Sequence, residues 1–77
     1  MHEVVMTAVD KARAEHIARV VHKHNRKLSH HEYEGIVTRV AAGAQEVVAS
    51  YEEEHAAENV VKELAYHGAA AEVRSAS

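Results

Sequence analysis

The sequence contains no cysteine, proline, tryptophan or phenylalanine, and it has three glycines in 77 residues. Without cysteine the chain forms neither a disulfide framework nor a thiolate metal site. No Gly-rich run precedes a helix, which excludes a phosphate-binding loop. No apolar run approaches the roughly 18–20 residues of a membrane span. Residues 1–10 lack the basic lead and apolar core of a signal peptide. We therefore expect a cytoplasmic protein that does not contact a membrane.

The apolar residues that are present are mostly small. Fifteen Ala and twelve Val stand against two Leu, two Ile and three Tyr. Burying a Val contributes about 1.5–3 kcal/mol and an alanine methyl about 0.8 kcal/mol, whereas ordering each residue costs about 1–2 kcal/mol of backbone entropy. A single-chain core of this composition is marginal. We therefore expect a homo-oligomer, most simply a twofold dimer.

The apolar residues recur with a helical period and predict an all-α fold. We expect one domain over residues 1–77, with helices over about 3–25, 30–53 and 56–68 and a frayed tail over 74–77. The first two helices form an antiparallel hairpin, the third is shorter, and two copies assemble into a four-helix-type bundle. The apolar face rotates near residues 53–57, which favours a break there; one continuous helix is the alternative.

Glycine and capping residues mark the predicted helix ends. Ser29 and Glu32 match the S-x-x-E capping box, which predicts a helix start. Gly68 suits the C-terminal cap of the third helix. Gly35 and Gly43 lie off the apolar stripe of the second helix, and we interpret them as surface glycines or points of close helix contact.

The pattern favours a non-enzymatic helical self-association or protein-interaction module. Its partner is expected to be a second copy or another helical protein. No serine stands in a His/Asp arrangement that would indicate nucleophilic catalysis. The apolar stripes supply the predicted interface residues Val5, Val9, Val20, Val37, Val40, Val47, Tyr51, Val60 and Leu64.

Eight histidines support a second hypothesis, a transition-metal or haem-binding helical bundle. Imidazole and carboxylate groups suit Zn, Ni or Cu, and the i, i+4 spacing of His30 and Glu34 puts both on one helix face. His16 lies alone on the first apolar stripe, where a histidine is usually a core residue; in a dimer it could instead face its own copy. The candidate ligands are His16, His24, His30, Glu34 and His55.

A third hypothesis is a small dimeric regulator that binds nucleic acid. Residues 1–27 hold six Lys/Arg and three acids, a net charge of +3, whereas residues 28–77 hold three Lys/Arg and nine acids, a net charge of −6. Phosphate contacts need such cations, but the pI is about 6.2 and the basic region has no aromatic for base stacking. The candidate residues are Arg13, Arg19, Lys23, Arg26 and Lys27.

One arrangement of residues resembles a known family. His31-Glu32 opens a long predicted helix, and Glu54-His55 follows about two dozen residues later. This order resembles the all-helical metal-sensing repressors that respond to copper or nickel. The resemblance covers about half of the chain and implies a metal-responsive helical regulator. Those repressors place a Cys directly after the His-Glu step, where this chain has Tyr33.

Overall fold

Three strands and three helices make up the fold in the computed structural model, which describes residues 1–75, so the all-α prediction is wrong. The chain forms an α+β structure in which a short 3-10 helix follows the first strand. In chain order the elements are β1 (His2–Val9), the 3-10 helix (Lys11–Arg13), α1 (Ala14–His24), α2 (His30–Ala41), β2 (Glu46–Tyr51), α3 (Glu54–Tyr66) and β3 (Ala69–Ser75).

The strands form one antiparallel sheet with the order β2-β1-β3. Because β2 and β3 both run antiparallel to β1, they are parallel to each other, and α3 is the crossover between them. Buried residues of all three helices form a single core with Val4 and Met6 of β1 and with residues of the other strands. Along β3, Ala69, Ala71 and Val73 pack on this core, whereas the alternate residues are exposed. The helices therefore cover one face of the sheet.

The first predicted helix, over 3–25, begins eleven residues late because its first third is a strand. The run from Val4 to Val9 is rich in β-branched residues, and β1 pairs with both other strands. Asp10 then ends the strand, since its side chain accepts a hydrogen bond of 3.0 Å from the backbone N–H of Ala12 and starts the 3-10 helix.

The second predicted helix, over 30–53, starts as expected and ends early. The capping box is confirmed: the Glu32 N–H donates to Ser29 Oγ at 3.2 Å, and the Ser29 N–H donates to Glu32 Oε1 at 3.1 Å. The helix ends at Ala41 because Gly43 has a φ of +109°, which turns the chain into β2. The interpretation of Gly43 as a glycine within a helix is therefore wrong.

The chain does break before α3, as favoured, but the preceding element is a strand. The helix occupies Glu54–Tyr66 rather than about 56–68, and Gly68, with a φ of +100°, follows its end as predicted. The frayed tail predicted over 74–77 is wrong for Arg74 and Ser75, which belong to β3; residues 76–77 lie outside the described part of the chain.

The expected four-helix-type dimer is also corrected by this architecture. The helical hairpin exists, since α1 and α2 pack on each other. The apolar faces of the helices, however, lie against the sheet, and their buried residues belong to the chain's own core. They are not available to form a helical core with a second copy. None of the described helices is long and apolar enough to cross a membrane.

Candidate functional site

Most of the predicted interface residues lie inside the protein. Val9 and Tyr51 are partly buried against the core, and Val5 is 3% exposed on the opposite face of the sheet. Val47, at 48% exposed, is the one predicted interface residue with a largely exposed side chain. The remaining five are buried in the core: Val20, Val37, Val40, Val60 and Leu64.

The outer edge of β3 is the part of the sheet that an additional strand could join. β3 hydrogen-bonds to β1 on one side, and on its other side it has no strand partner within residues 1–75. Its seven residues include no Pro and no Lys, which commonly protect edge strands. The one irregularity in the β1–β3 register is an extra residue, Thr7, that belongs to β1. The exposed edge is therefore continuous.

The opposite edge, on β2, is blocked. The register changes from Val4 opposite Ala49 to Val5 opposite Val47, so Val48 is an extra residue that interrupts the ladder. The side-chain amide of Asn25 donates to the carbonyl oxygen of Val48 at 3.0 Å. A bulge and an occupied carbonyl both hinder the addition of a strand here, which leaves β3 as the accessible edge.

Two charged side chains of β3 are ordered on the outer face of the sheet. The Arg74 guanidinium donates to Glu72 Oε1 at 2.6 Å and to Gln45 Oε1 at 2.8 Å. Gln45 directly precedes β2, on the far side of β1, so the Arg74 side chain crosses the outer face of the central strand. Val5 lies between Val47 and Glu72 in the register, which accounts for its low exposure on the face that the described helices leave uncovered.

The predicted metal ligands are divided among separate pairs. His16 contacts His67 with a distance of 2.9 Å between Nε2 and Nδ1. His24 contacts Glu63, and His30 contacts Glu34, each at 3.0 Å. Exposed His55 lies in the first turn of α3. Within residues 1–75 no group of three or more His, Cys, Asp or Glu side chains is placed to hold a metal ion. The candidate ligands therefore do not converge on one point of the described structure, and metal binding by them stays a prediction.

His16 is also not a core residue. Its side chain is exposed, because α1 begins only at Ala14 and its buried face is set by Ile17, Ala18, Val20 and Val21. No local spacing in the sequence signals its pairing with His67, which is 51 positions away.

Glu63 joins α3 to the C-terminal end of α1. Its Oε2 lies 3.0 Å from His24 Nε2 and 3.3 Å from Lys23 Nζ. Burial acts to raise the pKa of the Glu63 carboxyl, but the hydrogen bonds from His24 and Lys23 and their positive charges outweigh it and hold that pKa below its ordinary value. Burial, with a smaller contribution from the Glu63 charge, raises the pKa of Tyr51.

The His30 pair lies at the start of α2. Its Nδ1 faces Glu34 Oε1, and its other ring nitrogen, Nε2, is buried without a hydrogen-bond partner in the described structure. The ring of His22 lies edge-on at a centroid distance of 6.1 Å. This i, i+4 contact is the one predicted from spacing. The other candidate ligands, His16, His24 and His55, do not take part in it.

The predicted nucleic-acid residues form a surface of mixed charge. Arg19 pairs with Glu15 at 3.0 Å and Lys23 pairs with Glu63 at 3.3 Å, so two of the five cations have acidic partners. Arg13 is exposed in the 3-10 helix, and Arg26 and Lys27 are exposed in the loop between α1 and α2. Nucleic-acid binding stays a prediction.

Comparison with protein-family models, with curated proteins and with solved structures finds no match. The resemblance to metal-sensing repressors does not extend to the fold, because those proteins are all-helical and this chain has a three-stranded sheet.

Proposed function

We propose that the chain is a non-enzymatic self-association module in which β3 of one copy pairs antiparallel with β3 of a second copy. The observation that carries this proposal is the continuous outer edge of β3, together with the spacing of Glu72 and Arg74 along it. The proposal keeps the self-association expected from the small core and replaces the helical contact surface with a strand edge.

The charges on β3 are complementary to a second copy of the same strand. With a twofold axis at Val73, Glu72 of each copy lies opposite Arg74 of the other, and residue 71 lies opposite residue 75. Both charged side chains are exposed on the outer face. Opposite charges that face each other across antiparallel strands contribute roughly 0.2–1 kcal/mol per pair, and the symmetry produces two such pairs. A second copy is therefore the occupant that the edge fits best.

Pairing at this edge also adds stability to a protein whose own core is small. The two three-stranded sheets become one sheet of six strands in the order β2-β1-β3-β3-β1-β2. Val73, which is partly buried against the core, lies opposite its own copy and loses further exposed surface. The chain has no cysteine and therefore does not need an oxidising compartment for disulfide formation. We propose the cytoplasm as its location.

Charge reversal on β3 tests the proposal. The Glu72→Arg protein carries two arginines on the outer face and the Arg74→Glu protein carries two glutamates. Because like charges then face each other across the axis, we expect each variant alone to associate more weakly than the wild type. An equimolar mixture restores opposite charges at both contacts, and we expect it to form heterodimers. Sedimentation velocity gives the assembly state, and native mass spectrometry resolves heterodimers by mass.

The mixture separates contact between copies from contact within one chain. Each variant has lost the internal Arg74–Glu72 bond, so only contact between chains restores association on mixing. Glu58→Arg is the matched control, since Glu58 is exposed and belongs to α3 rather than to the β3 edge; it should leave the assembly state unchanged. A monomeric wild type, or variants that dimerise alone as well as when mixed, would reject pairing through β3.

A further inference from the structure

His16 and His67 bring two imidazole nitrogens together on the surface of the protein. His16 lies in the first turn of α1, and His67 is the C-cap residue that follows α3, directly before Gly68 and β3. Their Nε2 and Nδ1 atoms are 2.9 Å apart, and their ring centroids are 4.4 Å apart with an interplanar angle of 56°. His16 stands on a helix and His67 in the turn that follows one, and their contact is at the surface.

The N···N distance and the ring-centroid distance match those of two imidazoles that bind one metal ion at neighbouring positions, 90° apart. Two nitrogens about 2.05 Å from an ion lie about 2.9 Å apart when they subtend 90° and about 3.3 Å apart at the tetrahedral angle. The ring centroids, about 3.2 Å from the ion, are then about 4.5 Å apart at 90°. A head-on N–H···N hydrogen bond of the same length would separate the centroids by about 5.2 Å. The observed centroid distance of 4.4 Å agrees with the chelate value, and the 2.9 Å N···N distance fits both a chelate and a bent hydrogen bond between the two rings.

We infer that His16 and His67 bind a divalent late first-row metal ion through His16 Nε2 and His67 Nδ1, with Ni²⁺ or Cu²⁺ as the class of ion. Square-planar and tetragonal sites of these ions provide neighbouring positions at a right angle, and imidazole is one of their preferred ligands. Water supplies the remaining positions, because the cleft beside His16 is open to solvent. Of these two ligands, His16 was among the candidates predicted from sequence and His67 was not.

The charges around the pair are mixed. Arg13, Glu15 and Arg19 line the cleft beside His16, and Glu15 is bound to Arg19. On the other side, the Tyr66 ring meets the His67 ring edge-on at 5.1 Å, and Asp10 lies next to Gly68. With two arginines near the opening, the binding depends on the imidazole donors rather than on attraction by surrounding charge. Because the ligand nitrogens must be unprotonated, the affinity falls as the pH is lowered.

Isothermal titration with NiCl₂ at pH 7.5 tests this inference. We expect His16→Gln and His67→Gln each to weaken binding of the first equivalent at least tenfold. The double variant should be no weaker than the singles, because one lost ligand already breaks the chelate. His31→Gln is the control, since His31 has an exposed side chain outside the pair; it should bind as the wild type does.

The outcomes that overturn the site are specific. Wild-type affinity in either His16→Gln or His67→Gln would reject it, and so would an equal loss in the His31→Gln control. The Arg74→Glu variant separates this inference from the proposed dimer. Its charge is reversed at the β3 edge while the histidine pair is intact, so it should bind Ni²⁺ as the wild type does. Loss of binding in that variant would place the ion at the interface between copies and reject the His16–His67 site.

Discussion

Glu63 is the residue at which the basic first part of the chain meets the acidic remainder. It accepts hydrogen bonds from Lys23 and His24 on α1, and its own side chain is 27% exposed. Lys23 is 64% exposed, so solvent screens its share of the interaction, whereas His24 is 25% exposed and is the better shielded partner. The contact fixes the end of α1 to α3, which passes from β2 to β3.

We expect Glu63→Gln to lower the free energy of unfolding by about 1 kcal/mol at pH 7, because the charged hydrogen bonds are lost. The pKa of Glu63 lies below its ordinary value of 4.5 in the folded protein. Its contribution is therefore fully present above the unfolded pKa and is lost as the pH falls through the folded value. The gap between wild type and variant should start to narrow as the pH falls below about 4.5 and should close at lower pH. Urea denaturation followed by circular dichroism between about pH 7 and pH 3 measures it.

Glu58→Gln is the matched control for this prediction. Glu58 is an exposed carboxylate on the same helix, so its replacement should change the free energy of unfolding by less than about 0.5 kcal/mol. A Glu63→Gln gap that stays constant over the whole pH range would show that the loss comes from packing and not from the carboxylate charge.

At the scale of elements, Gly68 makes the turn that leads from α3 into β3. Its φ of +100° is a conformation that L side chains rarely adopt. A Cβ atom there would lie 3.2 Å from Arg13 Cδ and 3.3 Å from Asp10 Cβ. The backbone N–H of Asp10 also donates to the Gly68 carbonyl at 2.9 Å, so this turn is packed against the end of β1.

We expect Gly68→Ala to lower the free energy of unfolding by about 1–2 kcal/mol, because the added methyl meets both an unfavourable φ and two close neighbours. Gly35→Ala provides the contrast. Gly35 is in the interior of α2, and the nearest atom to its added Cβ is Arg39 Nη1 at 3.6 Å, so alanine should stabilise by about 0.5–1 kcal/mol. Thermal and urea unfolding of both variants measures whether each substitution lowers or raises the free energy of unfolding. A neutral Gly68→Ala would mean that the turn relaxes without strain.

The strands could not be distinguished from helices by local pattern, and the four Val-Val pairs show why. They stand at positions 4–5, 20–21, 47–48 and 60–61. The first and third are in strands that pair side by side, and the second and fourth are in helices. The two Val-Val pairs in strands differ from the two in helices because their segments, more than 40 positions apart, pair with each other. This pairing overrides local propensity. Gly43 was the local signal that α2 ends.

The candidate sites divide in the same way. The Ser29–Glu32 capping box and the His30–Glu34 contact are local, and spacing predicted both. The contact of His16 with His67 and the exposed edge of β3 depend on the sheet topology. The all-helical interpretation could predict neither feature, because it contained no edge strand and placed His16 on the apolar face of a helix.

At the scale of the whole molecule, the decisive feature is the sheet, which over residues 1–75 has one helical layer and one open edge. The core is built largely from Val and Ala, and its larger buried members are Tyr33, Met6, Ile17, Ile36 and Leu64. A domain of this size has a free energy of unfolding of about 4–12 kcal/mol, so an interface worth a few kcal/mol is a large fraction of the total. Association through β3 would therefore govern how stable the chain is at a given concentration.

Dilution is expected to lower the stability of the wild-type protein. If folding is coupled to pairing through β3, the urea midpoint of the wild type should rise with protein concentration, because each tenfold increase favours the dimer by about 1.4 kcal/mol. The Arg74→Glu variant, whose interface charges repel, should show midpoints that do not depend on concentration. Circular dichroism at about 1, 10 and 100 μM compares the two, and Glu58→Arg should behave as the wild type does. Equal midpoints for the wild type at all three concentrations would mean that one copy of this small core is sufficient, and that the edge of β3 adds nothing to its stability.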